Sequence, residues 1–272
     1  MKPLLLSTDF DGTLLNHDLN PAVLSPSFFE WLTYARSLRP VIWVINTGRD
    51  WPSLQLELEK RRAPVLPDWV VLIEREIHRV QSCGSLQPLI HWNRLCEESH
   101  ADLFRRADAA FETTRQRLAR HPELQLVVDT GSPLGLIARD NQQIDALEPD
   151  LQPLLTLFPE MHAVRNDVYI RFAHMDFHKG SCLGTVLAEE GLSAAECFAA
   201  GDNLNDLAML DRRYAHYITC PSNSLPEVKK HVQLQGGWVD PSPADEGIVN
   251  ALCYFFPELS PSSRTGRVSS SG

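Results

Sequence analysis

The sequence predicts an α/β protein, a parallel sheet with helices on both faces, interrupted by an α+β insertion of about 80 residues. Three observations predict it. Apolar strand-like runs alternate with helical periodicities at both ends of the chain, up to Trp92 and again from Lys179. Between them, residues 94 to 175 read helix-strand-strand, twice. Three of the outer runs end in reactive polar residues, at Asp9, Thr47 and Asp202, and an open parallel sheet binds ligands beyond the carboxyl ends of its strands.

Leu4-Leu5-Leu6 reads as a buried strand running into Ser7-Thr8-Asp9. A helix starts at Ser25-Pro26, with the serine as cap and the proline in the first turn. Phe28, Phe29, Leu32, Ala35 and Leu38 give it an apolar face at helical spacing. Val41 to Ile45 is a second strand, ending in Asn46-Thr47-Gly48-Arg49, and a helix follows from about Pro52 to Arg61. Trp69 to Ile73 is a third strand, and Ile77 to Val80 with Leu89 to Trp92 flank Cys83-Gly84-Ser85 as a hairpin. Inside the insertion, Arg94 to Arg120 is a long, charged, amphipathic helix. Leu124 to Val128 and Leu134 to Ala138 are strands joined by Gly131-Ser132-Pro133, and Asp145 to Phe158 is a helix despite Pro149 and Pro153. Val164 and Val168 to Phe172 pair across Asn166-Asp167. Beyond the insertion, residues 180 to 190 read as helix, Cys197 to Ala200 as strand, Asn203 to Asp211 as short helix and Ala215 to Thr219 as strand. Leu225 to Val232 and Glu246 to Phe255 are helical. The tail from Ser260 to Gly272 is serine-rich, with Val268 its only large apolar residue, and is expected to be disordered.

Charge and cysteine usage narrow the function classes. The net charge of −10 and the lack of a long basic run argue against nucleic acid and anionic lipid as partners. The arginines between Arg105 and Arg120 read as the solvated face of a helix. None of the six cysteines forms a Cys-x-x-Cys pair, which argues against a zinc cage, and their apolar neighbours suit a reducing compartment. Leu4 to Leu6 is too short for a signal peptide's apolar region, and no segment approaches the roughly 20 apolar residues of a membrane span. A cytoplasmic protein without membrane or nucleic-acid partners is expected.

The polar strand ends carry the chemistry. Asp9 and Asp11 stand two residues apart, followed by the permissive Gly12. Two like charges about 4 Å apart repel by roughly 4 kcal/mol at an effective dielectric of 20. Asp202 and Asp206 add to that repulsion, so the cluster calls for a hard divalent cation, and all-oxygen ligands favour magnesium. A calcium loop starting at Asp9 is excluded, because its sixth and twelfth positions hold Leu14 and Asn20 in place of Gly and Glu. The Thr47 hydroxyl and the amides around Gly48 can donate to phosphate oxygens. Lys179, before Gly180 at a helix start, is a candidate clamp on Asp9 and a phosphoryl group. In a helix beginning at Gly201, Asp202, Asn205 and Asp206 fall at i, i+3 and i+4 on one face.

Asp9-Phe10-Asp11-Gly12-Thr13-Leu14, Thr47-Gly48-Arg49, Lys179-Gly180 and Gly201-Asp202-Asn203-Leu204-Asn205-Asp206, in this order, resemble the haloacid dehalogenase (HAD) superfamily of phosphohydrolases. The resemblance implies a Rossmann-like parallel-sheet core at residues 1–92 and 177–259. The insertion at 93–176 resembles a C2B-type α+β cap of the Cof-like and sucrose-phosphate-phosphatase-like group, as do Pro221-Ser222-Asn223-Ser224 and Asp245-Glu246-Gly247-Ile248 downstream. It also implies a phosphatase acting on a small phosphorylated metabolite, with a sugar phosphate favoured. In the implied mechanism Asp9 attacks phosphorus and forms an aspartyl-phosphate. Asp11 protonates the leaving oxygen and then activates water. Thr47, Gly48, Lys179 and Asn205 serve the phosphoryl group. Magnesium is bound by Asp9, the backbone carbonyl of Asp11 and Asp202, with Asp206 acting directly or through water.

One stretch departs from the pattern. After the third strand, where relatives often carry a small residue, this chain reads Ile73-Glu74-Arg75-Glu76-Ile77. Arg75 either enters a substrate pocket or pairs with Glu74 or Glu76. Two alternative functions are a phosphomutase of the same fold and a phosphate-sensing protein without catalysis.

Overall fold

The computed structural model describes residues 2–17, 19, 22–24, 26–129 and 131–261. The expected Ser25 cap, residue Thr130 and the tail beyond residue 261 lie outside the described residues. In chain order the first segment holds β1 (Leu4–Thr8), β2 (Leu15–Asn16), β3 (Val23–Leu24), α1 (Pro26–Leu38), β4 (Val41–Asn46), α2 (Trp51–Lys60), β5 (Trp69–Leu72), β6 (Glu76–Val80) and β7 (Leu86–Pro88). The middle holds α3 (Ile90–Leu118), β8 (Gln125–Asp129), β9 (Ser132–Ile137), α4 (Asn141–Ala146), α5 (Glu148–Leu157), β10 (Met161–Asn166) and β11 (Tyr169–His174). The last segment holds α6 (Lys179–Glu189), β12 (Cys197–Ala200), β13 (Tyr217–Cys220), α7 (Pro226–Leu234), β14 (Trp238–Val239) and α8 (Ala244–Phe255). The chain divides into two compact units, Met1–Leu89 with Lys179–Gly272, and Ile90–His178.

The first unit is built on one sheet of order β14-β13-β12-β1-β4-β5-β6-β7. Pairing is parallel from β14 to β5, and β6 and β7 extend the sheet antiparallel. Every residue of β1 and β12 is buried, as expected for strands covered on both faces. α1 buries Phe28, Phe29, Trp31, Leu32 and Ala35, with the Phe28 ring 5.1 Å from that of Trp43 on β4. Each large apolar side chain so buried contributes roughly 1.5–3 kcal/mol.

The second unit is a four-stranded antiparallel sheet of order β10-β11-β9-β8 with helices packed on it. Leu103, Ala107, Phe111 and Leu118 of α3 recur at helical spacing and meet Leu134, Leu136, Ile170 and Phe172 of the sheet. The described helices include none long and apolar enough to cross a membrane.

Three expected elements differ. The partner of β6 is Leu86–Pro88, and Leu89 to Trp92 is not a strand, because α3 already begins at Ile90. Asp145 to Phe158 is broken into α4 and α5, since Pro149 has no N–H for the preceding turn and sits in the first turn of a new helix. Asn203 to Asp211 is not a helix beyond one 3-10 turn at Leu204–Asp206. There Asp206 Oδ2 accepts from the amides of Asp202 and Asn203, both at 2.9 Å, and this local bonding competes with helix propagation.

Candidate active site

β1 lies between β4 and β12. The chain leaves β1 toward β4 on one side and reaches β12 on the other, so the crevice where a parallel sheet takes its ligands opens at the end of β1. Asp9, Thr47 and Gly201-Asp202 are the residues that follow these strands. The Asp9 amide donates to the Ala200 carbonyl at 2.9 Å, which fixes the nearly buried Asp9 beside the end of β12. At Gly12 the backbone is left-handed, with φ 76°, and a Cβ would lie 2.4 Å from Asp202 Oδ2. Glycine is therefore what lets the Asp11–Thr13 loop close onto Asp202. The Thr13 hydroxyl completes that contact, donating to Asp202 Oδ1 at 2.8 Å.

Lys179 opens α6 and is fully buried. Its ammonium donates to Asp9 Oδ1 at 2.7 Å and to Asp206 Oδ1 at 2.6 Å. Asn46 holds the backbone of the same residue, its amide donating to the Lys179 carbonyl at 2.9 Å. A Cβ on Gly180 would lie 2.3 Å from the Ala208 carbonyl oxygen, so glycine allows α6 to start against the segment that carries Asp206.

Asp11 is held differently. Arg49 grips its carboxylate with two bonds, Nε to Oδ2 at 2.6 Å and Nη2 to Oδ1 at 2.7 Å, and His17 Nε2 lies 2.9 Å from Oδ1. Arg49 is itself steadied by Ser53, whose Oγ accepts from Nη1 at 2.8 Å. Thr47 is buried, and its Oγ1 accepts the Arg49 amide at 3.2 Å while its own O–H is left to donate. Gly48 lies between them in the same loop. The Asn205 amide donates to Glu74 Oε1 at 2.8 Å.

The charges follow from these contacts. Burial pushes the Asp9 carboxyl well above the usual carboxylate range; Lys179 pulls it down, while Asp206, Asp202 and Asp11 push it further up. Asp202 is pushed up to about 7 by burial and by Asp206, against the Thr13 hydroxyl and Lys179. Burial alone would lower the Lys179 ammonium, but Asp206, Asp9 and Glu74 more than offset it and raise it. Burial would raise Asp11 too, yet the hydrogen bonds and charge of Arg49, with help from His17, outweigh it and hold that carboxyl low.

A divalent cation fits this donor set. One carboxylate oxygen from each of Asp9, Asp202 and Asp206 lies within 4.8 Å of the others. All are hard oxygen donors, and three carboxylates share the single ammonium of Lys179, which donates to Asp9 and Asp206. The Asp11 carboxylate is turned to Arg49 and stands outside this trio. Among the described residues the structure thus gathers Asp9, Lys179, Asp202 and Asp206 in one contact network, with Asp11 and Thr47 joined through Arg49. Sequence reasoning assigned no role to Thr13, Arg49 or Asn223, and weighed Glu74 only as an ion-pair partner of Arg75. Asn223 bridges two loops, donating to the Gly12 carbonyl at 2.8 Å and accepting the Ala244 amide at 2.7 Å. The signal for Thr13 and Arg49 was their place inside the motifs; for Glu74 it was only an acid directly after a strand.

A family model for haloacid dehalogenase-like hydrolases matches residues 120–252, a span that includes Lys179, Asp202, Asn205 and Asp206. No curated protein matches the chain in sequence. Among solved structures, the sucrose-phosphatase of Synechocystis, determined with sucrose and phosphate, superposes with a TM-score of 0.72 at 15% identity, covering 94% of this chain and 98% of that one. A phosphatase of the haloalkanoate superfamily from Bacteroides thetaiotaomicron gives 0.65 at 19% identity, covering 95% and 96%. A sugar phosphatase described as subclass IIB gives 0.62 at 17% identity, covering 94% and 100%. The family match thus covers just under half of the chain, and the solved structures add a shared fold along nearly all of it.

Proposed function

We propose that the protein is a magnesium-dependent phosphomonoester hydrolase that works through an aspartyl-phosphate on Asp9. The observation that carries this reading is the buried Lys179 bridging Asp9 and Asp206 at the open end of β1, with Asp202 alongside. An Asp9 oxygen attacks phosphorus, the bond to the leaving oxygen breaks, and Asp11 supplies the proton that oxygen needs. Asp11, now a carboxylate, takes a proton from water; the water oxygen attacks phosphorus, freeing phosphate and restoring Asp9. Arg49 and His17 favour the ionised Asp11 that the second half requires. Lys179, the Thr47 hydroxyl, the Gly48 amide and Asn205 hold phosphoryl oxygens. Asp9, the Asp11 carbonyl, Asp202 and Asp206 would hold magnesium, which when bound supplies charge stabilisation and in-line alignment.

The substrate we infer is a small phosphorylated metabolite, with a sugar phosphate favoured. Support comes from the fold shared with a sucrose-phosphatase and a sugar phosphatase, and from a core whose residues account for phosphate and metal but for no leaving group. The insertion at 93–176 is the segment left to select it. Purified protein should release free phosphate from a panel of phosphorylated metabolites with magnesium, without a bisphosphate activator, and lose that activity in chelator. Turnover that needs such an activator would indicate a mutase. No turnover of any phosphomonoester would sink the proposal.

A further inference from the structure

Glu74 sits in the turn between β5 and β6. Ile73 and Glu74 are both left-handed there, with φ 43° and 66°. Such backbone is disfavoured for any residue with a Cβ, and most for a β-branched one. The turn is nevertheless tied to the site. The Ile73 amide donates to the Arg49 carbonyl at 3.0 Å, and the Glu74 amide to the Thr47 carbonyl at 2.9 Å. The Cys182 thiol, on α6 one turn after Lys179, contacts the Glu74 carbonyl at 3.6 Å. The Glu74 side chain is only 5% exposed, accepts from Asn205 Nδ2, and adds to the charges that keep Lys179 protonated.

Asn205 Oδ1 is buried with no hydrogen-bond partner among the described residues. Nothing at its oxygen end therefore fixes the amide. A rotation that exchanged Oδ1 and Nδ2 would set an oxygen against the Glu74 carboxylate, so Glu74 decides which way the amide faces. We propose that Glu74 is a positioning residue: its carboxylate, held in a strained turn, locks the Asn205 amide so that the second Nδ2 hydrogen stays available to a phosphoryl oxygen. This rests on the phosphatase reading above.

The test is a double-mutant cycle with a conservative rescue, read as kcat and KM for p-nitrophenyl phosphate at saturating magnesium, alongside thermal melting. Misplacing a contacting group by about 1 Å costs up to about 100-fold, so Glu74→Ala and Glu74→Gly should each lower kcat/KM about tenfold. Glu74→Gln, whose side-chain carbonyl still accepts from Asn205, should stay within about threefold. Asn205→Ala should lose as much as Glu74→Ala, and the double variant no more. Glycine takes the left-handed backbone without strain, so Glu74→Gly should melt above Glu74→Ala while being no more active. Activity that follows stability, with glycine better than alanine, would mean a merely structural role and overturn the inference. So would additive losses in the double variant, or Glu74→Gln as damaged as Glu74→Ala. An inactive wild type would sink the phosphatase reading instead, so the two failures are separable.

Discussion

Asp202→Asn should make the metal-free protein more stable, and only above acid pH. Asparagine keeps the shape and an oxygen for the Thr13 hydroxyl but removes one charge from the cluster. In the folded protein the Asp202 carboxyl is pushed up to about 7. In the unfolded chain it titrates near 4. A group raised on folding weighs nothing below its unfolded value; its cost grows as pH rises from about 4 and is complete above about 7. At about 1.4 kcal/mol for each tenfold change in proton affinity, the full cost is about 4 kcal/mol. Relaxation of the protein and water entry around the ionised carboxylate already recover part of this in wild type, so roughly half of it, about 2 kcal/mol, should appear as stability. For this chain length that is about 4–8 °C in Tm. In chelator at pH 8, Asp202→Asn should therefore melt about 4–8 °C above wild type, and at pH 4 the two should coincide. Magnesium should close the gap by stabilising wild type, by about 2.7 kcal/mol at a hundred times its Kd. A variant that melts no higher at pH 8, or equally higher at both pH values, would refute the reasoning.

Asp9→Asn should abolish turnover and leave the fold intact; turnover above a few per cent of wild type, in a sample free of deamidation, would remove Asp9 as the nucleophile. Arg49→Gln should release Asp11 to the effect of its burial and raise its carboxyl, moving the acidic limb of the pH–rate profile to higher pH; an unmoved limb would separate Arg49 from the acid–base group. Gly12→Ala should cost about 1–3 kcal/mol by urea titration, because φ is 76° and the new Cβ meets Asp202, and it should raise the half-saturating magnesium concentration. An unchanged magnesium requirement would mean the loop tolerates the methyl without disturbing Asp202.

The parallel core was readable because its strands are buried on both faces and appear as unbroken apolar runs, such as Leu4 to Leu6 and Cys197 to Ala200. The short pairs escaped. Leu15–Asn16 with Val23–Leu24, and Trp238–Val239, are two residues long and show no period to detect. The reactive carboxylates could be found as motifs at strand ends. Their partners were hidden because hydrogen bonding is not local in sequence: Asn205 meets Glu74 across 131 positions and Asn223 meets Gly12 across 211. Expecting a helix after Asp202 failed because the Asp206 carboxylate turns back onto two amides, a choice that spacing alone does not reveal.

Asp9 and Asp11 stand two residues apart, yet the fold drives their carboxyls in opposite directions. Asp9 lies at the buried end of β1, where Asp202 and Asp206 crowd it and one ammonium serves two acids. Asp11 lies one step beyond, where the loop turns through Gly12 and meets a guanidinium and an imidazole. The two jobs proposed for them need that separation. A nucleophile must be ionised at the moment of attack, and in the metal-free site Asp9 resists ionisation. A proton shuttle must return to its carboxylate in every cycle, and Arg49 favours that return. The acidic cluster therefore makes the nucleophile depend on whatever cation neutralises it, while the acid–base group carries its own cation. In chelator, then, both Asp9 and its phosphate clamp should be disabled together, because Lys179 alone must answer to Asp9 and Asp206.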